Sequence, residues 1–220
     1  MNGKNSVIQA FGNDFLSAFR IHLEQIVEHV PTEIVNLRKE TVMIEDLFLL
    51  QDGSLLYFVL HASPNPKDLD ELMFQLMEHN LKLYEKYEKL INTVVVFGSA
   101  IADAKTSIDL GAIKYRISDA IWLSRIGGDE IAEELTSKVG QNGELTDEDF
   151  SRLALLPFLQ TTVSRYERAV EALEIANQLD DHGKRDLVIK LMAEMVSRLL
   201  TDDDYEQVVQ AFERAKLRSD

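Results

Sequence analysis

The chain has 220 residues, 45% of them hydrophobic and 28% charged, a composition that supports a buried core and excludes a disordered chain. No cysteine is present, which excludes disulfides, thiolate zinc sites and cysteine nucleophiles. The formal net charge is −15. Proteins that bind nucleic acid usually gather Lys and Arg instead, so strong non-specific DNA binding by a monomer is not expected.

Neither membrane insertion nor secretion is expected. The longest apolar runs, at residues 47–50 and 93–97, are far shorter than the roughly 20 residues that cross a bilayer. The first residues, MNGKNSVIQAFGND, contain no apolar segment of signal-peptide length and no small-residue cleavage site. The sequence therefore predicts a cytoplasmic protein without membrane contact.

The first part of the chain alternates helical and strand patterns. Apolar spacing predicts a helix over residues 14–30, ended by Pro31, and a long helix over residues 68–90. Between them, two runs rich in apolar and β-branched residues, 42–51 and 54–61, are joined by Asp52-Gly53, the strongest short-range signal for a β-hairpin. Two further strands are expected, at residues 93–97 and 113–117.

From residue 119 onward the pattern is helical. The expected helices are 129–139, 146–155, 164–178, 184–200 and 202–216. Most of the excess negative charge lies here, and a break is expected near Gly127-Gly128 or at residues 140–143. We therefore predict two parts: an α/β core at residues 1–127 and an acidic helical region at residues 128–220.

Three stretches resemble one known family. Residues 45–62 (EDLFLLQDGSLLYFVLHA) resemble the catalytic hairpin of PD-(D/E)XK nucleases, and more narrowly that of the recombination-promoting nuclease and putative transposase family. Residues 82–96 and 153–158 are similar to the same family. The resemblance implies a restriction-endonuclease-like core of helix, β-hairpin, helix and strands, followed by an all-helical C-terminal part. It also implies an ancestral Mg²⁺-dependent DNA endonuclease.

The resemblance also implies a set of site residues, and that set is incomplete. In this family an acid on each hairpin strand binds Mg²⁺, and a Lys or Gln two residues after the second acid positions the attacking water. Here the first acid corresponds to Glu45, with Asp46 beside it. The second acid is replaced by Val59 and the Lys or Gln by His61, and residues 54–66 contain no Asp or Glu at all.

Three hypotheses follow. The first is a catalytically impaired nuclease kept as a binding or regulatory module. The second is an active endonuclease whose missing ligand lies on the next helix, where polar residues cluster at Asp68, Asp70, Glu71, Gln75 and Glu78. Its metal ligands would be Glu45, Asp46, Glu71 and Glu78. The third is an unrelated α/β interaction protein whose acidic tail docks a protein partner or forms a homodimer. Weak DNA binding stays open under the first two.

Overall fold

The computed structural model describes residues 12–141, 143–200 and 202–219. Within these ranges the strands are β1 (Ile26–His29), β2 (Thr32–Val35), β3 (Thr41–Ile44), β4 (Leu47–Leu50), β5 (Leu55–His61), β6 (Ile91–Phe97), β7 (Ser107–Asp109), β8 (Lys114–Arg116) and β9 (Asp119–Trp122). The helices are α1 (Asn13–Ala18), α2 (Pro66–Tyr87), α3 (Gly128–Gly140), α4 (Asp147–Leu155), α5 (Arg165–Asn177), α6 (His182–Leu199) and α7 (Asp202–Ser219).

The central element is a mixed five-stranded sheet with the order β1-β4-β5-β6-β9. The strands β1, β4 and β5 pair in antiparallel fashion, whereas β5, β6 and β9 run parallel. Parallel neighbours need a long crossover, and α2 supplies it between β5 and β6. The chain is therefore a mixed α/β protein with a helical C-terminal region, as the sequence predicts.

The Asp52-Gly53 hairpin is present between β4 and β5. Gly53 adopts a positive φ of 83°, which glycine reaches without a steric penalty. The Asp52 carboxylate accepts a hydrogen bond from the Ser54 amide at 2.9 Å and so fixes the turn. The first predicted strand, residues 42–51, is in fact two strands, because β3 leaves the central sheet and forms a separate ribbon with β2.

The helix expected over residues 14–30 is wrong beyond Ala18. Arg20 takes a left-handed φ of 57° and ends the helical path. Residues 26–29 then form β1, whose register pairs Ile26 with Leu50 and His29 with Phe48. Of the apolar residues that suggested a helix, Ile26 and Val27 lie in this strand, which completes the edge of a sheet whose other strands lie later in the chain.

Two predictions around residue 115 are also corrected. The strand expected at residues 113–117 exists as β8, but it pairs with β7 in a small sheet of its own. Residues 119–122, expected to be helical, form β9 at the edge of the central sheet, in register with β6. The five helices expected after them are all present as α3 to α7, and Thr146 and Ser164 form capping boxes at α4 and α5.

Apolar side chains fill both faces of the central sheet. Leu47, Leu55 and Tyr57 pack on the face that α2 covers. Phe48 and Phe58 lie on the other face, in one cluster with helical residues. That cluster includes side chains of α4, α5 and α6, namely Leu153, Leu173 and Leu191. The two predicted parts of the chain therefore share one core. In the part of the chain that the structure describes, no helix is long and apolar enough to span a membrane.

Candidate functional site

The hairpin brings the sequence-predicted positions close to one another. The register pairs Leu47 with Tyr57, and the Phe58 amide donates to the Asp46 carbonyl at 2.9 Å. The pairing therefore continues past the end of β4, which places Glu45 opposite Val59. Because side chains alternate along a strand, Val59 and His61 share the α2 face of β5 with Tyr57.

Asp46 lies on the opposite face of the hairpin from Val59 and His61, and its carboxylate already has an ion-pair partner. Its side chain is only 6% exposed and accepts a hydrogen bond from the guanidinium of Arg198 on α6. This ion pair ties the sheet to the helical region and neutralises the carboxylate inside the protein. Arg198 could not be predicted as its partner from the sequence, because 152 residues separate the two.

Glu45 has a different environment. The residue is exposed, and its backbone carbonyl lies 2.7 Å from His29 Nε2 in a hydrogen bond that joins it to β1. Across the pairing, Val59 is partly buried among the apolar side chains beneath α2. A valine has no donor or acceptor atom in its side chain, so the position opposite Glu45 contributes packing only.

His61 ends β5 in a partly buried position. Its Nε2 atom is buried and has no hydrogen-bond partner among the described residues, and its ring meets Phe97 edge-on at 6.3 Å between centroids. Burial lowers the pKa of His61 below its ordinary value, although a hydrogen bond that the ring donates to the Ser63 backbone and the charge of Asp68 oppose the shift. Burial therefore favours the neutral ring, at a position where the family has a Lys or a Gln.

The carboxylates of α2 do not converge on the hairpin positions. Glu71 and Glu78, with Gln75, line a surface cavity of about 310 Å³ beside the β2–β3 ribbon, and neither Glu45 nor Asp46 lines it. Glu78 accepts a hydrogen bond from the Leu37 amide. The other three carboxylates of the cluster have their own partners, Ser63 for Asp68, Lys105 for Asp70 and Lys67 for Glu71.

These side chains do not fit a magnesium site. Mg²⁺ needs carboxylate oxygens placed near octahedral geometry. Asp46 is bound to Arg198, Val59 offers no oxygen, and Glu78 holds a backbone amide. Over the residues that the structure describes, no three or more His, Asp or Glu side chains form a group that could hold a metal ion.

A second cavity lies along β9. The sequence did not predict it. It is a cleft of about 630 Å³ between β9, the chain that leaves α1, and helices α3 and α4. Trp122 in this cleft stacks on Phe97 with ring centroids 4.3 Å apart, and the guanidinium carbon of Arg125 lies 4.2 Å from the centre of the Trp122 ring. Arg20 and Arg152 also line the cleft.

Comparison with family models, with curated proteins and with solved structures finds no match for this chain. The function proposed below therefore rests on the topology and the hairpin positions.

Proposed function

We propose that the chain is a PD-(D/E)XK-like protein of the recombination-promoting nuclease type that no longer hydrolyses phosphodiester bonds and acts as a binding or regulatory module. The observation that carries the proposal is Val59, which stands where the second metal-binding acid is expected. Without that acid the Lewis-acid catalysis of the ancestral reaction is lost, and each ~1.4 kcal/mol of lost stabilisation slows a reaction tenfold.

The strand order supports the fold part of this proposal. A helix, three antiparallel strands, a crossover helix and a fourth strand parallel to the third follow one another as α1, β1, β4, β5, α2 and β6. This order contains the helix, hairpin, helix and strands that the resemblance implies, with β4 and β5 as the hairpin and β6 and β9 as the strands. The strand β1 and the β2–β3 ribbon are additions to that arrangement.

The charge and the ion pair of Asp46 support the functional part. A net charge of −15 repels DNA, whereas an active nuclease gains from attracting it. The Asp46 carboxylate is neutralised by Arg198 from within the chain. An arginine supplies positive charge but cannot lower the pKa of a bound water as a metal ion does.

The two other hypotheses have less support. The relocated-ligand hypothesis needs Glu71 and Glu78 beside the hairpin acids, and both line the separate cavity at the β2–β3 ribbon. Docking through the acidic tail needs apolar side chains left uncovered on the helices. Among the described residues after 128, the large apolar side chains that are exposed are Val163 and Tyr205.

Nicking of supercoiled plasmid in the presence of Mg²⁺ or Mn²⁺ tests the proposal. The wild-type protein is compared with Glu45→Gln and with the double variant Glu71→Gln/Glu78→Gln. Glu45 is exposed, so its amide variant keeps the fold, and circular dichroism confirms this for each protein. We expect none of them to nick plasmid above the metal-only control.

Cleavage by the wild type that disappears in Glu45→Gln would overturn the proposal and establish an active site at the hairpin. Cleavage that disappears only in the double variant would overturn it in favour of a ligand relocated to α2. Absence of cleavage in protein shown to be folded supports the loss of catalysis.

A further inference from the structure

Exposed apolar side chains concentrate on one part of the protein surface. Twelve large apolar side chains are exposed among the described residues, and eight of them lie on three neighbouring elements, namely α2, the β2–β3 ribbon with its turn and the β7–β8 hairpin with its turn. Single exposed apolar residues are ordinary on a protein surface, whereas a contiguous group marks a contact site. The exposed apolar side chains of α2 are therefore considered together.

The side chains on α2 form a continuous stripe. Four apolar residues follow one another at intervals of three, four and three, the a and d spacing of a heptad repeat, which places side chains in one line along a helix. They are Phe74, Met77, Leu81 and Tyr84. Phe74, Leu81 and Tyr84 are 48%, 62% and 56% exposed, and Met77 is partly buried. This α2 stripe spans about 15 Å, which matches nearly three turns of a second helix.

The neighbouring elements flank the α2 stripe on both sides. In the heptad, Glu78 and Asn80 occupy the positions on either side of the a and d residues. The Leu37 amide, at the turn of the β2–β3 ribbon, donates to Glu78, and the Asn80 side chain donates to the Tyr115 hydroxyl of β8 at 3.0 Å. The Leu37 side chain is itself exposed. The stripe is therefore the floor of an open groove between the ribbon and the hairpin, a shape that suits a helix.

A row of acids runs along the ribbon side of the α2 stripe. Glu71, Glu78 and Glu85 are seven residues apart, so they occupy the same heptad position beside the apolar residues. Glu71 and Glu85 are exposed and pair with lysines of the same helix, Lys67 at 3.9 Å and Lys82 at 2.9 Å. Exposed pairs of this kind contribute little to stability, so cations of a partner can replace these lysines. The row and the net charge of −15 favour a basic partner.

The same row argues against a second copy of the chain as the occupant. An antiparallel pair of α2 helices would place Phe74 against Tyr84 and Met77 against Leu81. It would also place the acidic row of one copy against the acidic row of the other, since the same side of each helix meets across an antiparallel pair. Like charges that face each other are destabilising, and each copy carries a net charge of −15.

We propose that the α2 stripe is a docking site for an amphipathic helix of another protein, with apolar residues at heptad spacing and with Lys or Arg beside Glu71, Glu78 and Glu85. The apolar contacts supply most of the affinity, and the acidic row selects basic helices. The stripe is separate from the hairpin position Val59, which packs beneath α2. The proposal therefore holds whether or not the hairpin positions cleave DNA.

A displayed library of helical peptides of about 20 residues tests the proposal on the full chain, with random residues at the a, d, e and g positions of a fixed heptad frame. The library is selected in parallel on the wild type and on Leu81→Glu, which places a charge in the middle of the stripe. Leu81 is exposed, so this variant keeps the fold, and circular dichroism confirms it. We expect the wild type alone to enrich peptides with apolar a and d residues and with Lys or Arg at e and g.

Fluorescence anisotropy of the labelled peptides measures the affinity of each variant. We expect Leu81→Glu to weaken binding about tenfold, because a charge replaces a central apolar contact. Val163→Glu, the same kind of change at an exposed apolar residue before α5, is the matched control and should leave binding unchanged. Glu85→Lys should weaken the binding of the basic peptides about threefold at low salt and by a smaller factor at high salt.

Three results would overturn the proposal. One is no enrichment by the wild type beyond that by Leu81→Glu, or equal peptide affinity in Leu81→Glu and Val163→Glu. Another is enrichment of peptides without basic residues whose binding Glu85→Lys leaves unchanged, which would remove the role of the acidic row. The third is a dimer in light scattering that Leu81→Glu dissociates, which would assign the stripe to a second copy of the chain.

Discussion

Arg198 of α6 donates a hydrogen bond to Asp46, the carboxylate that precedes β4, across 152 residues of chain. Asp46 is 6% exposed and Arg198 is 22% exposed, so the pair is largely shielded from water. It links the final layer of helices to the start of the central hairpin. Breaking one side of such a pair leaves a charge buried without a partner.

Replacement of Arg198 by alanine should lower the free energy of unfolding by about 2 kcal/mol, below the range for fully buried pairs because Arg198 is partly exposed. Urea denaturation measures the change. Lys190→Ala on the same helix is the control, since the Lys190 side chain is 57% exposed and its ion pair with Glu194 is loose. Equal stability of Arg198→Ala and Lys190→Ala would contradict the view that the Arg198–Asp46 ion pair links α6 to the central sheet.

Replacement of Arg168, the most deeply buried arginine among the described residues, should also destabilise the protein. It is 4% exposed on α5 and donates to Asp129, Glu171 and Thr161. Arg168→Met keeps much of the side-chain volume but removes the cation from Asp129 and Glu171, which are 30% and 40% exposed, and we expect a loss of about 2 kcal/mol in unfolding free energy. Arg185→Met, which removes a contact with the neighbouring Asp186, is the matched control. If Arg168→Met lowers the unfolding free energy no more than Arg185→Met does, the contacts of Arg168 do not stabilise the protein.

Stability should fall in mildly acidic solution. Burial lowers the pKa of both His61 and His79 below the ordinary value. Below about pH 6.5 the unfolded chain binds protons at these rings while the folded chain does not, so this contribution to stability is present above that pH and is lost as the pH falls. Thermal unfolding at about pH 7.5 and 5.5 measures the loss.

The double variant His61→Gln/His79→Gln should show a smaller decrease in melting temperature between the two pH values than the wild type does. The exposed His182 at the start of α6, replaced by Gln, is the control. An unchanged pH dependence in the double variant would show that other groups cause the decrease.

Gly98 marks a close contact between the sheet and α6. A Cβ atom added there would lie 2.9 Å from the Leu199 carbonyl oxygen, a backbone atom that cannot simply rotate away. We expect Gly98→Ala to destabilise the protein by about 2 kcal/mol. Gly140→Ala, at the end of α3 with open space around it, should be neutral or slightly stabilising. Equal unfolding midpoints for the two variants would show that the strand end and α6 can separate freely.

Local sequence signals correctly predicted the elements that are determined by their own residues. Asp52-Gly53 fixed the hairpin turn, and apolar spacing with caps located α2 and the five later helices within a few residues. The edge strands β1 and β9 were not predicted, because a strand of four residues is decided by its neighbour in the sheet. For β9 that neighbour is β6, more than twenty residues earlier in the chain.

The positions of the candidate site residues on the hairpin could be predicted from the sequence, whereas their contacts with the rest of the protein could not. The position of Val59 opposite Glu45 follows from the hairpin register, which the turn sets. The binding of Asp46 to Arg198 and the cleft beside β9 both depend on how the helical region packs against the sheet. Hydrophobic periodicity gives the face of a helix that is buried but not the strand that it meets.

The shared core has a consequence for synthesis on the ribosome. One face of the sheet, with Phe48 and Phe58, is covered in part by Leu191 and Met195 of α6. At roughly 5–20 residues per second, translation from β9 to the end of α6 takes several seconds. During that interval a complete set of central strands exists without its apolar cover. The nascent chain is thus at its most vulnerable to aggregation just after the sheet can form, and chaperones that bind apolar segments would act then.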